Sequence, residues 1–490
     1  MTLEPSRIAK NTIYLTVATV GQKFLAFFYF ALIARMIGVE NTGKYFFVVS
    51  FTIIFSIFID LGLSSVLTCE IAKNKEKASE YLGNILTAKI FFFILTYFAV
   101  ALTVNFLGYS AETKNMVYLA GIVMFFDSFH LTFYAVFRGL HNLKYEAMGV
   151  MVGQLVTITF GGLSLFWGAP LYFLIIALIL GSAAVFVYSG LLLRLKTEIR
   201  PRLNLSRKTL QFLFKIAYPF ALAGIFVKVY SYLDSILLSK LVGDLAVGWW
   251  SVAYKITFAF QFIPMAFAAA MFPAMSAYFV SDKEMLRKTF ERVLFYLAII
   301  AVPLAAGIFS LAGPIILKIY GSDYAPSIVP LQILVFAIVF IFLNFPVGSL
   351  LNATDRQMTN TMMMGAAMFV NIILNILLIP LYSFNGAAIS ALASYAILFF
   401  LGLYFANKVI KYNKMFLLKS LGKIFFSALV MSVVVIFLRQ DVNFLILIPL
   451  GAFIYFAIMF LTKGIEKRDV INIIKIFKKE KVIENQEEVL

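Results

Sequence analysis

Fourteen apolar stretches, each of 18 residues or more, constrain what this chain can fold into. They run at 12–36, 45–67, 82–106, 116–136, 148–167, 171–193, 212–238, 246–272, 292–313, 328–350, 358–380, 386–407, 421–438 and 443–462. A helix crosses the hydrocarbon of a bilayer in about 20 apolar residues. Within that hydrocarbon every backbone N–H and C=O has to pair inside the chain, which leaves helices and closed barrels. Barrel strands would alternate apolar and polar residues over about 10 positions, and these stretches are apolar nearly throughout. The expected fold is all-α and membrane-integral, with 14 transmembrane helices. Composition agrees: 62% of the residues are hydrophobic and 13% charged, where a soluble domain has roughly half and a quarter. One cysteine, Cys69, excludes an internal disulfide framework. The opening MTLEPSRIAKN leads into a segment too long for a signal-peptide core and without a small-residue cleavage site. Span one is therefore expected to be retained.

Charge sets the orientation. The formal net charge is +17, but the basic residues are spread over the connections between spans, so no nucleic-acid partner is expected. Alternate connections hold Arg7 and Lys10, then Lys73, Lys75 and Lys77, then Arg138 and Lys144. The same set continues with Arg194 to Lys208, Lys283 to Arg292, Arg356, Lys408 to Lys423, and the tail. It carries 30 of the 41 Lys and Arg, and the other connections carry only Arg35, Lys44, Lys114, Lys240, Lys318 and Arg439. Short loops rich in Lys and Arg stay in the cytoplasm. Both termini are expected there, in a cytoplasmic or inner cell membrane. The basic tail, with Val470, Ile473, Ile474 and Phe477 on one helical face, is expected to lie on the anionic inner leaflet.

The chain also repeats itself. At an offset of 205 residues Ala18 falls on Ala223, Lys23 on Lys228, Arg35 on Lys240, Gly38 on Gly243 and Gly43 on Gly248. Spans one and seven run in the same direction, so the repeats are parallel, an arrangement known among transporters. The longest inner loop, LRLKTEIRPRLNLSRK, separates them. The expected organisation is an N-terminal lobe of six spans (1–200), a cytoplasmic linker (201–211) and a C-terminal lobe of six spans (212–410). Two extra helices (411–464) and the tail (465–490) complete it.

A lysine facing lipid at mid-bilayer costs about 2.5–3.5 kcal/mol. Lys23 lies twelve residues past Asn11, or about 18 Å of helix, beyond the reach of a snorkelling side chain. Lys228 repeats it, and Lys255 lies nine residues into span eight. These three are the candidates to line a water-filled cavity for an anionic cargo; the alternative is an internal ion pair. Lys89 and Lys215 stand within a few turns of the inner face, where snorkelling serves equally well. Asp60, Asp127 and Asp234 also fall within spans, and His130 follows Asp127 by one turn on the same helix face. These four are the ion-coupling candidates, because a carboxylate–histidine pair can relay protons; the alternative is a polar patch at a helix contact. Pro219, Pro264, Pro273, Pro303 and Pro346 mark possible bends in the C-terminal half. There is no GxxxxGK[ST], HExxH, GxSxG or cysteine–histidine set. No ATP site, cofactor or metal is expected, and an ion gradient or the membrane potential would supply the energy.

Two stretches resemble a known family. In ARMIGVENTGKYFFVVSFTIIFSIFIDLGL, Ala34, Arg35, Gly38, Gly43, Tyr45, Asp60, Gly62 and Leu63 follow a pattern of A-R-x-x-G, G-x-Y and D-x-G-L. In NIILNILLIPLYSFNGAA, residues 371–388 follow N-x-x-L-N-x-x-L-I-P-x-x-G-x-x-G-A-A, with Ser383 where the family usually has glycine. Both are similar to Wzx-like polysaccharide flippases of the multidrug/oligosaccharidyl-lipid/polysaccharide exporter superfamily, over about residues 5–410. The resemblance implies a V-shaped pair of six-helix lobes around a central cavity, and alternating access. The peptidoglycan-precursor branch uses cavity cations from spans one, two and eight. Lys23 and Lys255 stand on comparable helices, as lysines where that branch commonly has arginines.

The expected function is a flippase that moves a polyprenyl-(pyro)phosphate-linked oligosaccharide from the cytoplasmic to the outer leaflet for polysaccharide or glycoconjugate biosynthesis. Its partners would be that lipid and the bilayer, for a monomer with polysaccharide assembly enzymes as candidate associates. A multidrug or toxin antiporter of the same superfamily is the alternative, less favoured because such exporters use cavity carboxylates and usually twelve spans. A membrane glycosyltransferase or ligase would need a larger outer loop than any here. Single cysteines at Glu112, Asp323 and Asp441, in a Cys69→Ser background, are expected to react with an impermeant thiol reagent from outside. Those at Lys75, Lys283 and Lys411 are expected to react only after permeabilisation. A terminus found outside contradicts the charge alternation.

Overall fold

The computed structural model of the protein describes residues 5–200 and 202–465; the amphipathic tail helix expected around 469–477 lies outside them. Among the described residues there is no β-strand. The helices are α1 (Pro5–Asp60), α2 (Leu63–Lys73), α3 (Ala78–Phe106), α4 (Ala111–Gly139), α5 (Lys144–Phe166), α6 (Tyr172–Lys196), α7 (Arg207–Leu241) and α8 (Asp244–Phe258). They continue as α9 (Phe262–Ser281), α10 (Lys283–Ile319), α11 (Ile328–Leu334), α12 (Ala337–Ala353), α13 (Gln357–Val409), α14 (Lys414–Leu438) and α15 (Phe444–Leu461). Among the described residues eleven helical segments are long and apolar enough to cross a membrane, or twelve if Ser322–Leu334 and Ala337–Ala353, bent by 41°, count as one.

Two of these segments are too long for one crossing. The span-forming part of α1, Tyr14–Asp60, has 47 residues, and α13 has 53, about 70 and 80 Å of helix at 1.5 Å per residue. The bilayer core is about 30 Å thick. Each breaks into two arms. In α1 the break is Gly38 (φ 77°), and in α13 it is Ser383 (φ 53°, ψ −134°). That backbone region is disfavoured by a Cβ, which is the physical reason for the glycine of the family pattern at 383. A third break follows from proline. Pro264 offers no N–H to the carbonyl of Phe260 and its ring crowds it; Ala259–Gln261 accordingly tightens into a 3-10 turn between α8 and α9.

The chain divides into two compact units, residues 1–248 and 249–490. In the first, Leu63, Leu67, Ile71, Leu82, Ile85 and Leu213 are buried in one apolar cluster. The linker does not hang free. Arg200 N donates to Ser79 Oγ at 3.3 Å, Asn204 N to Thr87 Oγ1 at 3.2 Å and Ser206 N to Asn84 Oδ1 at 2.6 Å. Thr209 Oγ1 then donates to Glu80 Oε1 at 2.6 Å. The linker is thus strapped along α3, and α7 packs on α1, α2 and α3. Where the repeat places the division at the linker, packing places it after Gly248.

Lys44 pairs with Glu112 at 3.3 Å and Lys240 donates to Leu107 O at 2.7 Å, gathering three connections of the lysine-poor set. The same end holds a reciprocal contact. A Cβ on Gly43 would overlap the carbonyl of Asp244 and lie 2.9 Å from Gly248 N, and one on Gly248 would overlap the carbonyl of Val39. Gly43 and Gly248 are equivalent in the repeat, as are Val39 and Asp244. The two helix starts therefore meet backbone to backbone about a local pseudo-twofold.

In the second unit α10 is the central helix, packed by α9, α11, α12, α14 and α15. The last two helices are anchored to it. Tyr455 Oη donates to Ile299 O at 3.2 Å and Ser432 Oγ to Ala306 O at 3.4 Å. Ser383→Gly is expected to raise the unfolding midpoint in detergent by relieving about 1 kcal/mol of backbone strain, and Ser383→Val to lower it. No effect of either substitution would contradict the left-handed assignment.

Candidate functional site

The first unit carries a charged interior. α1 ends at Asp60, and Leu61 (φ 42°) and Gly62 (φ 76°) reverse the backbone before α2 begins. Only glycine fits there, since a Cβ on Gly62 would lie 2.7 Å from Phe220 Cβ and 3.0 Å from Ala221 N on α7. The turn sets Asp60 beside Ser64, whose hydroxyl donates to Asp60 Oδ1. Lys89 of α3 reaches both. Its ammonium donates to Asp60 Oδ1, to Ser64 Oγ at 3.0 Å, to Ser128 O at 3.0 Å and to Thr132 Oγ1 at 2.6 Å. Lys89 is fully buried, and the Asp60 side chain is 22% exposed. Lys89 therefore does not snorkel to the inner face, one of the readings the sequence left open for it. An ion pair with three further oxygens meets the cost of its burial inside the helix bundle.

Asp127 and His130 share a face of α4, with carboxylate and Nδ1 3.7 Å apart, too far for a direct hydrogen bond. Asp127 is half-exposed and acts electrostatically on Lys228, half-buried on α7. Asp127 and His130 are thus the two candidates that the structure brings together. Lys23 is exposed on α1, beside Gln22, which donates to Gln154 Oε1 on α5 at 2.9 Å. Neither Lys23 nor Lys228 forms an ion pair among the described residues, and both belong to the first compact unit. Asp234 is buried on α7, and Lys255 is half-buried on α8, one turn before the break at Ala259. Lys215 is exposed near the start of α7, on an open surface shared with Arg207, Leu210 and Phe214.

Three polar features carry structure that residue type alone did not reveal. Lys89 is one. Arg138 on α4 is another, holding Glu146 of α5 in a two-pronged pair with Nε to Oε2 at 2.7 Å. The third is in the second unit, where Asn375 donates to Asn371 Oδ1 at 3.0 Å and both side chains are fully buried. The repeated asparagines of the family pattern were the available signal for that pair. Ser128 and Thr132, one turn apart on α4, mark a polar strip, but nothing in the sequence ties it to Lys89. Among the described residues no group of three His, Cys, Asp or Glu side chains is placed to hold a metal ion.

A family profile described as "Polysaccharide biosynthesis protein" matches residues 8–279. The chain belongs to that family. A second profile, MatE, matches residues 219–377. The capsular polysaccharide biosynthesis protein CapF of Staphylococcus aureus is 23% identical over 414 residues, 82% of this chain and 100% of that protein. The uncharacterized membrane protein MJ1068 of Methanocaldococcus jannaschii is 28% identical over 278 residues, 55% of this chain and 53% of that protein. Among solved structures, the lipid II flippase MurJ in an inward closed conformation superposes with a TM-score of 0.78. That match has 19% identity and covers 94% of this chain and 100% of MurJ, so it establishes the fold.

Breaking one side of a buried ion pair costs about 3–5 kcal/mol, because the other charge is left without compensation. Lys89→Met is therefore expected to lower the unfolding midpoint of the purified protein sharply, and Asp60→Asn/Lys89→Met to recover much of the loss. If the double variant is no more stable than the single one, the pair is not the source of the effect.

Proposed function

We propose that the protein is a flippase for a polyprenyl-(pyro)phosphate-linked oligosaccharide, carried from the cytoplasmic to the outer leaflet by alternating access. The observation that carries this reading is membership of the polysaccharide biosynthesis family over residues 8–279, combined with the character of the accessible intramembrane charge. Lys23 is exposed at mid-helix and Lys228 is half-buried on α7. Such lysines suit a phosphate, which accepts point-charge donors readily, and a strongly hydrated head group needs such a site to cross hydrocarbon. Lys255 is the third candidate contact. On this reading the protein is a transporter and not an enzyme. On this reading both arms of α1 and of α13 are separate crossings and the bent pair is one, which makes fourteen spans, and both termini lie in the cytoplasm. Asp127, His130 and Asp234 remain the candidates for ion coupling, driven by a gradient or the membrane potential.

The match of the MatE profile to residues 219–377 favours one second reading, an ion-coupled drug antiporter. Charge separates the two. The flippase reading requires binding of a lipid-linked pyrophosphate sugar that weakens as salt rises, because exposed charge pairs are screened. Lys23→Ala and Lys228→Ala are each expected to weaken that binding at least tenfold without altering the unfolding midpoint, with arginine at either position restoring more than glutamine does. Tight binding of cationic drugs with no phosphate-dependent lipid binding would decide for the antiporter.

A further inference from the structure

The surroundings of Lys89 Nζ are all oxygen. One carboxylate oxygen (Asp60), two hydroxyl oxygens (Ser64 and Thr132) and one main-chain carbonyl oxygen (Ser128) converge on it from α1, α2 and α4. The ammonium has three protons and meets four acceptors, so the arrangement is a coordination shell rather than a set of one-to-one hydrogen bonds. Hard cations are held by the same donor classes: carboxylate, hydroxyl and backbone carbonyl. The shell is internally ordered, since Ser64 Oγ donates to Asp60 and Thr132 Oγ1 donates to Ser128 O at 2.8 Å. Its hydroxyl lone pairs are thereby left for the cation. Its charge is one carboxylate. Arg138, farther along α4, is engaged by Glu146.

We propose that Asp60, Ser64, Ser128 and Thr132 form a monovalent-cation site, and that the chain fills it permanently with the ammonium of Lys89. A single positive charge balances the single carboxylate, whereas a divalent ion would leave a buried excess charge. Lys89 is then a tethered substitute for a potassium or ammonium ion. It ties α1, α2, α3 and α4 together without drawing on solution cations, and it removes Asp60 from the ion-coupling candidates. The 22% exposure of the Asp60 side chain gives a free ion a way in once the lysine is cut back. The inference concerns stability and does not depend on which cargo is carried.

The test is thermal unfolding of the purified full chain at constant ionic strength, in potassium, sodium, ammonium or N-methyl-D-glucamine chloride. The wild type is expected to unfold at the same temperature in potassium and in N-methyl-D-glucamine. Lys89→Ala, which empties the shell, is expected to be destabilised by several degrees in N-methyl-D-glucamine. Its midpoint should climb with the logarithm of potassium or ammonium concentration, as a bound ligand requires. Lys89→Met, which fills the space without charge, should be destabilised and show no such rescue, and Asp60→Asn/Lys89→Ala should not respond to any cation. If Lys89→Ala survives purification only in potassium or ammonium, that supports the proposal. The proposal is overturned if Lys89→Ala is insensitive to cation identity, or fails to fold in every salt while Asp60→Asn/Lys89→Ala folds.

Discussion

Hydrocarbon gives a charge nothing to bind, so every ionised group in this chain must find either an internal partner or water. That constraint sorts the intramembrane lysines. Lys89 is fully buried and saturated with oxygen. Lys23 is exposed at mid-helix and has no ion pair among the described residues. The first kind holds helices together, and the second kind can meet a cargo. The same division applies to the acids: Asp60 serves Lys89, while Asp127 stays half-exposed beside His130.

Duplication supplies a second constraint. Gly38 and Gly243 are equivalent in the repeat and both take a positive φ. Gly43 and Gly248 are equivalent, and each packs against main-chain atoms of the other helix start, where a Cβ would overlap a carbonyl.

Much of the fold was legible because it follows from composition and length. Apolar runs of about 20 residues have one use in a bilayer, and the turns at Gly38 and Ser383 fall where the family pattern has glycine. The expected grouping of Lys44, Lys114 and Lys240 loops on one side agrees with the Lys44–Glu112 pair and the Lys240–Leu107 contact at one end of the first unit. The ion pair was not legible. Lys89 and Asp60 are 29 residues apart on different helices, and a linear reading measures only the distance of Lys89 from the membrane face. The packing boundary after Gly248 was also hidden. It depends on the strapping of the linker along α3 through Asn84, Thr87 and Glu80, which look like ordinary polar residues in the sequence.

The central claim is that this chain moves a lipid-linked sugar across a bilayer without nucleotide. The most direct measurement reconstitutes the purified protein in vesicles containing a polyprenyl-pyrophosphate oligosaccharide, and follows how much of the sugar becomes accessible to a membrane-impermeant modifying enzyme. The account requires that the protected half of the lipid becomes accessible in the absence of ATP, at a rate that rises with an imposed ion gradient or potential. Unchanged protection in vesicles that exchange a cationic drug for protons would contradict it.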